Sequence, residues 1–247
     1  MKKLMITLLS FCSTLSFAQN GFFLQPEIGG GFSNTCWQPF KTTGYPGQTS
    51  IFSYQGQVDI GYKAGKWQFI TGIGYLRTGV NLQHGSLSDF NNYIWFIFDE
   101  NLFVPYSLAI TDYNPHYIIP VKIGYEVHRF SKRLSFTPLI GAELSENLPR
   151  TFVFDHNPKQ PESKDAFNYN CNKYGIIGLL QLNFEYRLNN RYDLTAGPSI
   201  HYMFTSELNF KDQHDYSVLM NLGLKWNFKN RKPDSETTLS PQPAPES

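Results

Sequence analysis

Apolar and polar residues alternate with a period of two in eight segments of this 247-residue chain. That spacing puts successive side chains on opposite faces of a β-strand. In the first segment Leu24, Pro26, Ile28, Gly30 and Phe32 share one face, and Gln25, Glu27, Gly29, Gly31 and Ser33 the other. The same alternation runs through Tyr54–Tyr62, Trp67–Tyr75, Ile119–Val127, Leu134–Leu144, Tyr174–Tyr186, Tyr192–Phe204 and Tyr216–Phe228. These runs are nine to thirteen residues long. A soluble strand is typically about 5–6 residues, whereas a tilted membrane strand needs about 9–11. The apolar faces also begin or end in rings, as in Tyr54 and Tyr62, Trp67 and Tyr75, Tyr174 and Tyr186, and Tyr192 and Phe204. Rings with a polar edge suit the two membrane–water interfaces.

The connections alternate in length. Lys63–Lys66, His128–Arg133 and Leu188–Arg191 are short and carry turn residues. The others are longer, roughly Asn34–Ser53, Asn81–Tyr117, Glu146–Lys173 and Ser206–Asp215. Short turns at one end and long loops at the other predict a closed, eight-stranded, antiparallel up-and-down transmembrane β-barrel. An even strand count places both ends of the barrel segment at the short-turn, periplasmic side. Closure is required because lipid offers no partner to an open backbone edge. The apolar stretch Tyr93–Phe98 with Leu102–Val104, inside the second long connection, reads as a packed strand extension or hairpin.

The chain divides into three parts. Residues 1–18 have a basic start, an apolar stretch from Leu4 to Phe17, and small residues at Ser16 and Ala18. They predict a cleaved signal peptide and an exported protein. Residues 19–229 form the barrel, and 230–247, rich in Pro and Ser, read as a disordered periplasmic tail. The composition agrees with strands and turns: 16% aromatic, 19 Gly and 15 Pro. A formal charge of +1 gives no electrostatic footprint for nucleic acid.

In an eight-stranded barrel the interior is just wide enough for side chains to fill. The alternation turns Glu27, Asp59, Lys63, Lys122, Glu126, Glu143, Glu185, Arg187 and Lys225 inward. Unpaired buried charge is costly, so these residues are expected to pair into a polar lumen network, with no wide channel. Cys36 and Cys171 are the cysteines left after export, and both fall in connections on the long-loop side. They form a disulfide or remain two thiols.

Several stretches resemble known proteins: Pro26-Glu27-Ile28-Gly29-Gly30-Gly31-Phe32, Gly72-Ile73-Gly74-Tyr75, Ile119-Pro120-Val121-Lys122-Ile123-Gly124-Tyr125 and the closing Trp226-Asn227-Phe228. Over about residues 19–229 the chain resembles the small eight-stranded outer-membrane barrels of the OmpA-like transmembrane type. It is also similar to the PorT-type outer membrane protein β-barrel domain family. The resemblance implies the fold and an outer-membrane location; the roles within that family are diverse.

Catalytic and metal chemistry have little support. CxxC, CxxH and HExxH patterns are absent, so neither a cofactor nor a metal is expected. Barrel-type lipid A deacylases use a His-x-Ser pair; His214-Asp215-Tyr216-Ser217 is His-x-x-Ser, with its two members on opposite faces of a strand. His201 beside Ser199, with Glu185 on a neighbouring strand, imitates a triad but reads as a satisfied lumen histidine. His84, His116, His128 and His156, and the carboxylates Asp112, Asp155 and Asp165, fall in loops and turns. The expectation is a monomeric, non-enzymatic outer-membrane barrel in contact with outer-membrane lipid, whose long loops meet an extracellular or envelope partner. Two alternatives remain: a lipid A deacylase-like barrel enzyme, and a soluble exported lipocalin-like barrel with its apolar faces turned inward around a ligand.

Overall fold

The structure is a computed structural model and describes residues 21–37, 48–83, 109–155, 164–169, 173–205 and 213–228. The signal segment, the tail, Cys171 and the Tyr93–Val104 stretch lie outside the described residues.

Eleven strands make one continuous sheet: β1 (Gly21–Trp37), β2 (Gln48–Ala64), β3 (Trp67–Gln83), β4 (Ala109–Tyr125), β5 (His128–Arg129), β6 (Leu134–Asn147), β7 (Arg150–Asp155), β8 (Lys164–Tyr169), β9 (Tyr174–Arg187), β10 (Tyr192–Met203) and β11 (Gln213–Asn227). Eight of them are staves of a closed antiparallel barrel, in the order β1-β2-β3-β4-β6-β9-β10-β11. The seam closes where β1 pairs with β11, from Phe23 opposite Asn227 to Trp37 opposite Gln213. Closure leaves no edge in the barrel wall, as a hydrocarbon surround demands.

The stagger follows from the pairings. From Glu27, the paired residues in one direction are Gln57, Gly74, Ile118 and then Ser145 on β6. In the other direction they are Gly223, Thr195, Glu185 and then Ser135 on the same strand. The two arrivals are ten residues apart. With a rise of ~3.3 Å per residue and a strand spacing of ~4.8 Å, this shear tilts the staves by about 40° from the barrel axis. At that tilt and size, interior side chains meet across the lumen.

The staves run further at the long-loop end than the alternation indicates. β1 continues to Trp37, β2 begins at Gln48, and β4 begins at Ala109, all inside segments expected to be loops. β7 extends the β6 stave by pairing with the upper half of β4, and β8 pairs with β7. The physical reason is that outward residues need be apolar only where lipid touches them. Above that level a strand keeps its hydrogen bonds with any polar sequence, such as Gln48-Thr49-Ser50.

Two glycines are required by backbone geometry. Gly65, at φ 61°, opens the two-residue turn that joins Ala64 to its partner Trp67. Gly79, at φ 154°, sits where the β2–β3 register shifts between Ser50 and Tyr54. A Cβ on Gly79 would lie 2.1 Å from the Asp112 carbonyl oxygen, and its own carbonyl accepts the Ser33 hydroxyl at 2.9 Å. Gly79→Ala is therefore expected to cost more than about 1 kcal/mol in urea unfolding of the folded barrel. A loss below a few tenths would show that the bulge relaxes freely.

Candidate functional site: the lumen and the outer wall

Burial alternates along every stave, and polar residues take the inward positions. Glu27, Asp59, Lys63, Lys122, Glu126, Glu143, Glu185 and Lys225 are all buried, while Arg187, at the short-turn mouth, is half-buried. The stagger sorts the lumen into levels.

At the base, the Lys63 ammonium donates to Glu126 at 2.7 Å, and Arg129 reaches the same carboxylate at 2.9 Å. Lys225 donates to Glu185 at 2.9 Å and to Gln68 at 3.0 Å; Gln68 in turn donates to Glu185 at 2.8 Å. Above this level lies an apolar cluster of Phe23, Ile70 and Leu139, with the Lys225 ammonium 4.6 Å from the centre of the Phe23 ring.

The middle level is polar. Lys122 donates to Asp59 at 2.7 Å. Glu27 has no cation within ion-pair distance among the described residues. Its carboxylate accepts amide N–H groups from Gln25 at 2.9 Å, Gln57 at 3.0 Å and Gln181 at 3.1 Å. Asn221 donates to the Ser199 hydroxyl at 2.9 Å, the hydroxyl lies 3.0 Å from His201 Nε2, and His201 Nδ1 lies 3.1 Å from Glu143. The imidazole thus bridges the Ser199 hydroxyl and the Glu143 carboxyl.

A second apolar cluster, Leu76, Ile118, Ile177, Met203 and Leu219, covers the middle level from five staves. The side chains of both clusters are buried, as are the polar side chains of the central network. At the outer mouth Arg150 donates to both oxygens of Asp112 and lies 3.7 Å from Asp215, which accepts from Asn114 at 2.9 Å. His116 sits 3.0 Å from Asn147.

The sequence reading differs from this arrangement in three places. The carboxylate beside His201 is Glu143, projecting from β6 two staves away, while Glu185 belongs to Lys225 at the base. Strand adjacency suggested Glu185, but in a staggered barrel cross-lumen neighbours are set by the shear. His116 and Asp112, expected in a loop, face the lumen from the upper half of β4. Asp112, Arg150 and Asp215 were absent from the expected network because they lie beyond the ends of the alternating runs, in segments read as connections. Cys36 is exposed at the outer end of β1, with no bridge among the described residues, and Cys171 lies outside them.

The Ser199–His201–Glu143 trio has the bonding order of a hydrolytic triad, but its side chains are enclosed in the lumen. All three are 2% exposed or less and lie beneath the upper apolar cluster. On β11, Ser217 faces the lumen, whereas His214 stacks on Tyr202 at 5.6 Å. Among the described residues no histidine, serine and carboxylate converge on the outer wall. The lipocalin-like alternative required apolar faces turned inward; instead Ile28, Ile73, Ile140 and Met220 are 63–70% exposed on the outside.

The outer wall is an apolar band between two rings of aromatics. Phe22 contacts Tyr62 at 5.0 Å and Trp67 contacts Tyr125 at 4.8 Å in the lower ring; Tyr54, Tyr75 and Tyr117 follow each other at 6.0 and 6.1 Å in the upper one. Eight residues separate the two rings on β2 (Tyr54, Tyr62), β3 (Trp67, Tyr75) and β4 (Tyr117, Tyr125). At the tilt above this is about 20 Å of height between ring positions, close to the ~25 Å band of membrane barrels.

At the base, burial raises the proton affinity of Glu126, but Lys63 and then Arg129 outweigh it and hold the carboxyl below its ordinary value. Glu126 lies just past the last residue of β4, in a short turn. A depressed carboxyl pKa stabilises the fold above the unfolded-state value, and that contribution is lost as pH falls through the folded-state value. The unfolding midpoint is therefore expected to drop as pH falls below about 4.5, and Glu126→Gln to flatten that drop. An unchanged pH profile in Glu126→Gln would contradict the pairing.

No protein-family model matches the chain, and no curated protein is similar to it in sequence. Among solved structures, neisserial surface protein A is similar at 15% identity and a TM-score of 0.44, over 85% of this chain and all of that one. A major outer membrane protein of Thermus thermophilus is similar at 12% identity and 0.42, over 84% of this chain and 99% of that one. The outer membrane protease OmpT of Escherichia coli is similar at 10% identity and 0.40, over 87% of this chain and all of that one. These likenesses are distant, and the barrel rests on its own strand pairing.

Proposed function

We propose that this chain is a non-enzymatic outer-membrane β-barrel protein of a Gram-negative envelope, with a structural or interaction role. The observation that carries the reading is the apolar band between two aromatic rings, wrapped around a closed barrel with a polar interior. In water such a wall would expose a contiguous apolar surface far beyond that of a soluble monomer; in lipid it is the solvated face. Two clusters of buried apolar side chains inside the lumen favour a scaffold over a pore. In this reading the barrel acts as a monomer, and closure supports it by leaving no stave edge for a second copy to pair with. Its long outer connections are the surface offered to an extracellular or envelope partner, and a Cys36–Cys171 bridge would tie two of them together.

Fractionation with a planar-bilayer recording tests this reading. The protein is expected to sediment with the outer membrane, to resist alkaline carbonate extraction, and to give no stepwise conductance. Recovery in the soluble periplasm would overturn the location, and discrete conductance steps would overturn the scaffold reading. Counting thiols by mass spectrometry without reductant is expected to find none, and two free thiols would remove the bridge.

A further inference from the structure

The short-turn end sorts its charges by sign. Its carboxylates Glu126, Glu185 and Asp193 are buried and point into the lumen. Its cations Lys66, Arg129, Lys132, Arg133 and Arg191 are exposed. Arg129 is shared with Glu126. Lys66, Lys132 and Arg133 have no ion-pair partner among the described residues; Lys66 Nζ lies 5.9 Å from the centre of the Tyr125 ring, at the lower aromatic ring. The exposed face of this end is thus cationic, although the chain as a whole carries a formal charge of only +1.

The same turns carry apolar residues where a water-facing hairpin would be polar. Val127 and Phe130 flank Arg129, Leu188 stands between Arg187 and the Asn189-Asn190 turn, and all three are exposed. Phe130 packs edge-on against His128 at 4.6 Å. Cations beside exposed apolar side chains, level with an aromatic ring, match the headgroup layer of a membrane. There phosphate lies next to glycerol and the first methylenes. A soluble acidic partner would account for the cations alone.

We propose that the short-turn rim is a docking surface for anionic phospholipid headgroups, held by Lys66, Lys132 and Arg133 with Phe130 and Leu188 as apolar contacts. This rests on the membrane-barrel reading above. Among the described residues the carboxylates at this end, Glu126, Glu185 and Asp193, are buried, so they add little like-charge repulsion to phosphate binding at its exposed face. The attraction is electrostatic and falls off within a Debye length, so it is sensitive to salt.

The test uses the folded full-length protein in dodecylmaltoside micelles containing equal amounts of dioleoyl-phosphatidylglycerol and dioleoyl-phosphatidylcholine, with co-purifying lipid quantified by mass spectrometry. Unboiled and boiled samples are run on a gel in parallel to report the folded barrel. The wild type is expected to retain phosphatidylglycerol over phosphatidylcholine by about fivefold or more. The triple variant K66Q/K132Q/R133Q, and the wild type in 0.5 M salt, are expected to fall to within about twofold of parity with the gel shift intact. Parity in the wild type with an intact gel shift overturns this proposal and leaves the barrel reading standing. Lipid parity with tight binding of polyglutamate also overturns it, and makes the rim a site for an acidic polypeptide. Absence of the gel shift together with failure to enter vesicles overturns the membrane reading, and this proposal with it.

Discussion

Lys122→Met is expected to lower the unfolding free energy of the barrel by about 3–5 kcal/mol. Lys122 is 1% exposed, and its ammonium is 2.7 Å from Asp59 at the centre of the lumen. Glu27 and Glu143 project into the same level without a lysine or arginine partner of their own among the described residues. Removing the one ammonium there leaves Asp59 buried beside two further carboxylates. The penalty is that of an orphaned charge, so it should shrink when the partner is neutralised as well. The double variant K122M/D59N is expected to recover at least about half of the loss, in line with the near-neutral cost of replacing a whole buried pair. Urea unfolding in phosphatidylcholine vesicles measures both. A single-variant cost below about 1 kcal/mol would mean that water reaches the pair.

Ile73→Arg is the second large effect, and it separates lipid from water directly. Ile73 is 70% exposed on the outer wall of β3, inside the apolar band, two residues from Tyr75 of the upper ring and six from Trp67 of the lower. An exposed residue of a soluble protein tolerates such a change within about 0.5 kcal/mol. At the midplane of a bilayer the same change costs about 2–4 kcal/mol. Ile73 lies between the midplane and the upper ring, so a cost of more than about 1 kcal/mol is expected in vesicles, measured as the folded fraction on an unboiled gel across a urea series. Ser131→Arg, in a short turn, should leave that curve unchanged.

The period-two alternation fixes where the wall is, because a barrel stave must present apolar residues to lipid at every second position. That constraint operates only inside the bilayer. Asn34–Trp37, Gln48–Ser53 and Ala109–His116 are strand in the structure but read as loop in the sequence, since above the lipid their outward side chains are free to be polar. β7 and β8 were hidden in the Glu146–Lys173 connection for the same reason. The inward set was legible from parity alone: each of Glu27, Asp59, Lys122 and Lys225 follows from its place in the alternation. Their partners were not. Glu143 on β6 meets His201 on β10, two staves away, and Gln181 on β9 reaches Glu27 on β1, contacts set by a ten-residue stagger that no single segment encodes.

The most direct measurement places single cysteines along β10, in a background with Cys36 and Cys171 replaced by serine, and reads their surroundings in vesicles. At Ala196 and Ile200, on the outer wall, a nitroxide label is expected to collide with dissolved oxygen far more than with a water-soluble nickel chelate. At Thr195 and Ser199, 1% exposed within the lumen, the thiol should resist labelling until the barrel is unfolded. Collision with the nickel chelate at Ala196 and Ile200, or ready labelling at Thr195 and Ser199, would contradict an apolar wall around a packed polar centre.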